Sequence, residues 1–118
     1  MKRRVLDTAS DPEKLFMSAE ALLCKALLSL QDSGEMSAFL HDLCTPAELE
    51  VLVDRWRVVP YLLDGISYRQ IHERTAVSIT TIGRVARYLH HGAGGYQLAA
   101  ARTGVGIKEL PEINEVRT

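Results

Sequence analysis

Three helix-start signals follow one another between residues 45 and 81, and they constrain the chain more than any other feature. Thr45-Pro46-Ala47-Glu48 offers a capping threonine, a proline in the first turn where no N–H is needed, and a glutamate placed to close a capping box. Ser67-Tyr68-Arg69-Gln70 repeats the pattern, and Ser78 stands before Ile79-Thr80-Thr81. Gly65 closes the first of these helices, and Gly92-Ala93-Gly94-Gly95 closes the last. The middle of the chain therefore reads as short helices joined by tight turns. Pro60 falls inside the helix that starts at Pro46, and the loss of one backbone bond there predicts a kink near Trp56–Val59.

The flanks continue the helical reading. Residues 13–31 place Leu15, Phe16, Ala19, Leu22, Leu23, Ala26, Leu27 and Leu30 at helical spacing, with Asp11-Pro12 as a start. Gly34 marks a break, and Met36, Phe39, Leu40 and Leu43 form a second short stripe. Tyr96 to Arg102 reads as one or two further helical turns. Alternating apolar runs and hairpin dipeptides are missing. The expected fold is all-α, with five to six helices in a domain over residues 1–102, a helix-turn-helix at 67–91, and a flexible tail at 103–118.

The charge distribution separates the chain into functional parts. Formal net charge is −1, from 14 Lys and Arg against 15 Asp and Glu, which excludes a uniformly basic nucleic-acid coat. Residues 1–54 carry 5 basic and 10 acidic residues, residues 55–91 carry 6 and 2, and residues 92–118 carry 3 and 3. A basic segment is thus attached to an acidic one. With 47% apolar and 25% charged residues the chain is ordinary for a globular domain of its length. No apolar run approaches the roughly 18 residues that span a bilayer, so a cytoplasmic protein without membrane partners is expected. Cys24 and Cys44 show no paired spacing and read as free thiols packed among apolar side chains.

The basic segment contains the motif that carries function. In Thr75-Ala76-Val77-Ser78-x-x-Thr81-Ile82-x-Arg84-Val85, Ile71 is expected to pack on Ile82 and Val85, Val77 to plug the corner, and Ser78 to cap the second helix. That pattern resembles the helix-turn-helix of bacterial transcription factors, although the turn carries Ala76 where glycine is usual. It places Ser78, Ile79, Thr80 and Thr81 at base edges or bridging water, and Arg69, Arg84 and Arg87 at phosphates. The alternative is an ordinary helical corner in a protein–protein interaction module without DNA binding. His72, His90 and His91 lack ligand spacing, so no metal is expected. No nucleophile–base pair supports an enzyme.

The helix opened by Thr45-Pro46-x-Glu48, carrying Arg55-Trp56-Arg57 and ending Leu62-Leu63-x-Gly65, followed by Ser67 and this motif, resembles the tryptophan repressor superfamily. Gly92–Tyr96 is similar to its YerC/YecD-type repressor-like branch. The resemblance covers about residues 15–91. It implies an intertwined homodimer that binds a double-stranded operator through two helix-turn-helix units. It also implies an effector pocket at Thr45, Arg55 and Arg84. Val85 and Tyr88 stand where the family has a glycine and a serine, and they are expected to fill that pocket, so that no tryptophan or related cofactor is needed.

Overall fold

In the computed structural model, residues 12–105 are described, and their regular structure is entirely helical. The elements are α1 (Pro12–Leu28), α2 (Ser33–Leu43), α3 (Pro46–Arg57), α4 (Val59–Leu63), α5 (Tyr68–Thr75), α6 (Ile79–His91) and α7 (Gly95–Thr103). They fall into two compact units, one ending at Cys44 and one beginning at Thr45.

The first unit holds α1 and α2. The break between them comes earlier than Gly34. The Ser29 N–H still bonds the Lys25 and Ala26 carbonyls, and Asp32 then caps α2 by accepting from the Glu35 N–H at 2.8 Å. Glu35 reciprocates by accepting the Gln31 N–H at 2.9 Å. Gly34 therefore lies in the first turn of α2 rather than in the linker. No residue of α2 is buried, and Leu22, Leu28 and Leu43 are exposed. Cys24 is exposed and Cys44 half-buried, both as free thiols. The expectation of buried cysteines is corrected on this point: Cys24 lies on α1 beside Leu22 and Leu23, which are exposed as well. Asp11, the basic residues 2–4 and most of the proposed tail lie outside the described residues.

The second unit owns the core. Thr45 forms the complete capping box: its Oγ1 accepts from the Glu48 N–H at 3.1 Å, and its own N–H donates to Glu48 Oε1 at 2.8 Å. Pro60 acts more strongly than a kink. The helix ends at Arg57 and restarts at Val59, and this break accounts for the seventh helical segment. It also turns Val58, Val59 and Tyr61 inward, where all three are fully buried. The restart ends in a Schellman arrangement, with Ile66 N–H bonded to the Tyr61 carbonyl, Gly65 N–H bonded to the Leu62 carbonyl, and Gly65 at φ +77°. Helix α6 is the hub, packed against α3, α4, α5 and α7. Its inward residues are Ile82 and Val85, as expected, together with Ala86 and Leu89, and all four are buried. Ile82, Val85 and Leu89 meet Ile71, Val77, Val58, Val59 and Tyr61 in one cluster, with Trp56, Leu62, Tyr96 and Ala100 packed around it.

Candidate nucleic-acid interface

The turn between α5 and α6 is held by groups from both sides. Ser67 caps α5 by accepting from the Gln70 N–H at 3.2 Å. Thr75, buried at the other end, donates from Oγ1 to the Ile71 carbonyl at 2.7 Å and accepts from the Val77 N–H at 3.1 Å. The His72 ring meets the Val77 carbonyl at 2.7 Å through Nδ1. A carbonyl can only accept, so Nδ1 carries the hydrogen. Between these anchors Ala76 takes a left-handed conformation at φ +62°, the single non-glycine residue with positive φ among those described. Val77 is buried beneath the corner as the motif required.

Ser78 starts α6 by accepting from the Thr81 N–H at 3.1 Å. Its hydroxyl hydrogen is directed to Thr81 Oγ1 at 3.0 Å, which leaves the Thr81 hydroxyl free to donate outward. Ile79 and Thr80 are exposed and Thr81 is half-buried at the same helix start. One and two turns on, Arg84 and Arg87 project from the exposed face. The Arg84 guanidinium carbon lies 4.7 Å from the centre of the Tyr88 ring, and that of Arg87 lies 5.9 Å from it. Arg69 pairs with Glu73 at 3.4 Å, with both side chains well exposed. Such a surface pair is worth about 0–1 kcal/mol, so Arg69 can exchange it for another anion at little cost.

Together α5 and α6 form a corner with an apolar inner side, a capped second helix, and hydroxyls and arginines on the open side. This geometry and the sequence that makes it match a known family: the Trp repressor protein family matches residues 18–103. The chain belongs to that family. The match runs beyond the recognition motif and takes in α7, which reading the sequence left as a turn or two. The protein YerC of Bacillus subtilis (strain 168) is 39% identical over 80 residues, spanning 68% of this chain and 77% of that protein. A TrpR-like protein from Eubacterium eligens ATCC 27750 superposes with a TM-score of 0.73 at 37% identity, covering 80% of this chain and 97% of that one. A candidate Trp repressor from Staphylococcus aureus superposes with a TM-score of 0.73 at 32% identity, covering 81% and 96%. The chain is therefore a YerC-type member of the superfamily, and the family is one of DNA-binding regulators rather than enzymes.

The residues that resemblance assigned to an effector pocket lie in the second unit but in different settings. Thr45 is engaged in its capping box. Arg55 is half-buried, and its Nε is enclosed without a hydrogen-bond partner among the described residues. Val85 is fully buried within the core cluster. Arg84 and Tyr88 face each other on the exposed side of α6. Burial together with the Glu50 charge one turn away raises the Asp54 carboxyl above its ordinary value, and Arg57 partly offsets this.

The sequence pattern gave no bonding role to Thr75, His72 or Gln97. Gln97 donates from Nε2 to the Leu89 carbonyl at 2.7 Å, satisfying an end group of α6 from α7. Thr75 was legible in principle, because a threonine directly before a tight turn can bond both ways along the backbone. His72 and Gln97 bond over distances in sequence of 5 and 8 residues, which no local pattern marks. Among the described residues no helix is long and apolar enough to cross a membrane.

Proposed function

We propose that the protein is a sequence-specific transcriptional repressor that binds operator DNA as a homodimer, with α6 of each protomer in a major groove. The observation that carries this reading is the capped, uncovered start of α6, where Ser78, Ile79, Thr80 and Thr81 lie ahead of Arg84 and Arg87. The hydroxyl of Thr81 and the exposed Thr80 are suited to base edges or to water held against them. Arg69, Arg84 and Arg87 are suited to phosphates on either side.

The apolar surface supports the homodimer. Leu22 and Leu28 on α1, Leu43 on α2, and Val51, Leu52 and Val53 on α3 are all exposed, and neither α2 nor α3 contains a buried residue. Helices of this composition are stable when a second copy covers them. Two-fold symmetry then sets the half-sites about 34 Å apart. The acidic residues 1–54 keep the rest of the surface from competing for DNA.

Binding proceeds without tryptophan. Two observations support this: Val85 is fully buried, and the Arg84 guanidinium already has the Tyr88 ring as a partner. Calorimetric titration with tryptophan is expected to give no heat of binding, and tight stoichiometric binding would refute this part of the reading.

Selection of bound sequences from a random duplex pool, followed by mobility shift at two salt concentrations, tests the whole. Enrichment of a two-fold symmetric site is expected, with affinity falling steeply as salt rises because each phosphate contact releases counterions. Flat or absent binding would favour an interaction module instead. Light scattering should give twice the 13.1 kDa protomer mass.

A further inference from the structure

We propose that Tyr88 is a positioning residue for the DNA contact: its ring holds the Arg84 guanidinium in place before DNA arrives. This inference rests on the DNA-binding reading above. Arg84 and Tyr88 are four residues apart on α6, so they lie one above the other on its surface. The guanidinium carbon of Arg84 sits 4.7 Å from the ring centre, within cation–π range, and Arg87 approaches the same ring at 5.9 Å.

The choice of partner has a chemical consequence. An arginine held by a carboxylate spends its in-plane N–H donors and its charge on that carboxylate. An arginine held over a ring spends only its π face, and its donors remain free for the two oxygens of a phosphate. Arg69 is held by Glu73 in the first way, whereas among the described residues neither Arg84 nor Arg87 has an acidic partner. Tyr88 is 43% exposed and stands outside the core cluster, so packing does not account for an aromatic side chain at this position. What the ring does there is restrict a long, rotamer-rich side chain while leaving its charge available.

The test is a double-mutant cycle on Tyr88 and Arg84, read by fluorescence anisotropy on the duplex enriched from the random pool. Tyr88→Phe keeps the ring and is expected to bind as the unaltered protein does. Tyr88→Leu removes it and is expected to weaken binding about two- to fivefold, the worth of one exposed cation–π contact. In an Arg84→Ala background, Tyr88→Leu is expected to change affinity little further. In the free protein, the Arg84 side-chain resonances should be shifted by the ring current of Tyr88, retained in Tyr88→Phe and lost in Tyr88→Leu. Three results would overturn the inference: no ring-current shift, unchanged affinity in Tyr88→Leu, or the same loss from Tyr88→Leu whether or not Arg84 is present, which would mean that Tyr88 touches DNA itself. A ring-current shift in a protein that shows no salt-dependent DNA binding would overturn the DNA-binding reading, and the role of the stack with it.

Discussion

Replacing Ala76 with glycine should stabilise the protein, against the usual direction for a glycine substitution. Ala76 is held at φ +62° by a closed set of hydrogen bonds: its own N–H to the His72 carbonyl at 2.8 Å, the His72 ring to the Val77 carbonyl, and Thr75 to both Ile71 and Val77. An L-residue in this region costs about 1–2 kcal/mol because its Cβ crowds the following carbonyl. Glycine escapes that cost but loses more backbone freedom on folding, about 0.5–1 kcal/mol. The Ala76 side chain is exposed, so its methyl contributes little burial. The net gain for Ala76→Gly is about 0.5–1 kcal/mol, or a rise in midpoint of about 2–5 °C for a chain of this size. Ala76→Val supplies the opposite sign, because a β-branched side chain is least tolerated at positive φ. Thermal unfolding followed by far-UV circular dichroism, at one fixed protomer concentration, measures both. A glycine variant no more stable than the unaltered protein, or a valine variant equally stable, would refute the claim that strain is stored at this turn.

Thr75→Val, which keeps the shape and removes the hydroxyl, should leave the Val77 N–H without its partner and cost about 1–3 kcal/mol in chemical denaturation. Asp54→Asn tests the raised Asp54 carboxyl. A group whose pKa is raised by folding adds stability at low pH and withdraws it as pH rises through the folded value, so the ionised form is the unfavourable one at neutral pH. The variant should therefore melt higher than the unaltered protein at pH 7, with the difference closing as pH falls below about 4. An equal difference at both pH values would show that the carboxylate charge is not the cause.

The helix starts were legible because capping is local. Thr45, Ser67 and Ser78 each accept from an N–H three residues on, and the residue types that can do so stand in the sequence at that spacing. The inward face of α6 was legible for the same reason: Ile82, Val85, Ala86 and Leu89 follow the helical period. Pro60 was read as a kink and proved to be a complete break. Proline fixes only the loss of a bond and a clash, and the burial of Val58, Val59 and Tyr61 decides how far the helix then turns. Cys24 was read as buried because its neighbours are apolar, but an apolar stripe records which face seeks cover, not whether the same chain supplies it.

By itself, the sequence determined the helical class, the caps, the corner at residues 75–78 and a basic segment set against an acidic one. Those properties depend on neighbours within a few residues, where backbone geometry and hydrogen-bond reach leave few options. Tertiary structure alone decided that Arg84 lies over Tyr88, that the Arg55 Nε is enclosed without a partner among the described residues, and that Gln97 satisfies the end of α6. Each of these depends on a side-chain rotamer or on the approach of a second helix, and several arrangements are compatible with any one residue pattern until close packing selects among them.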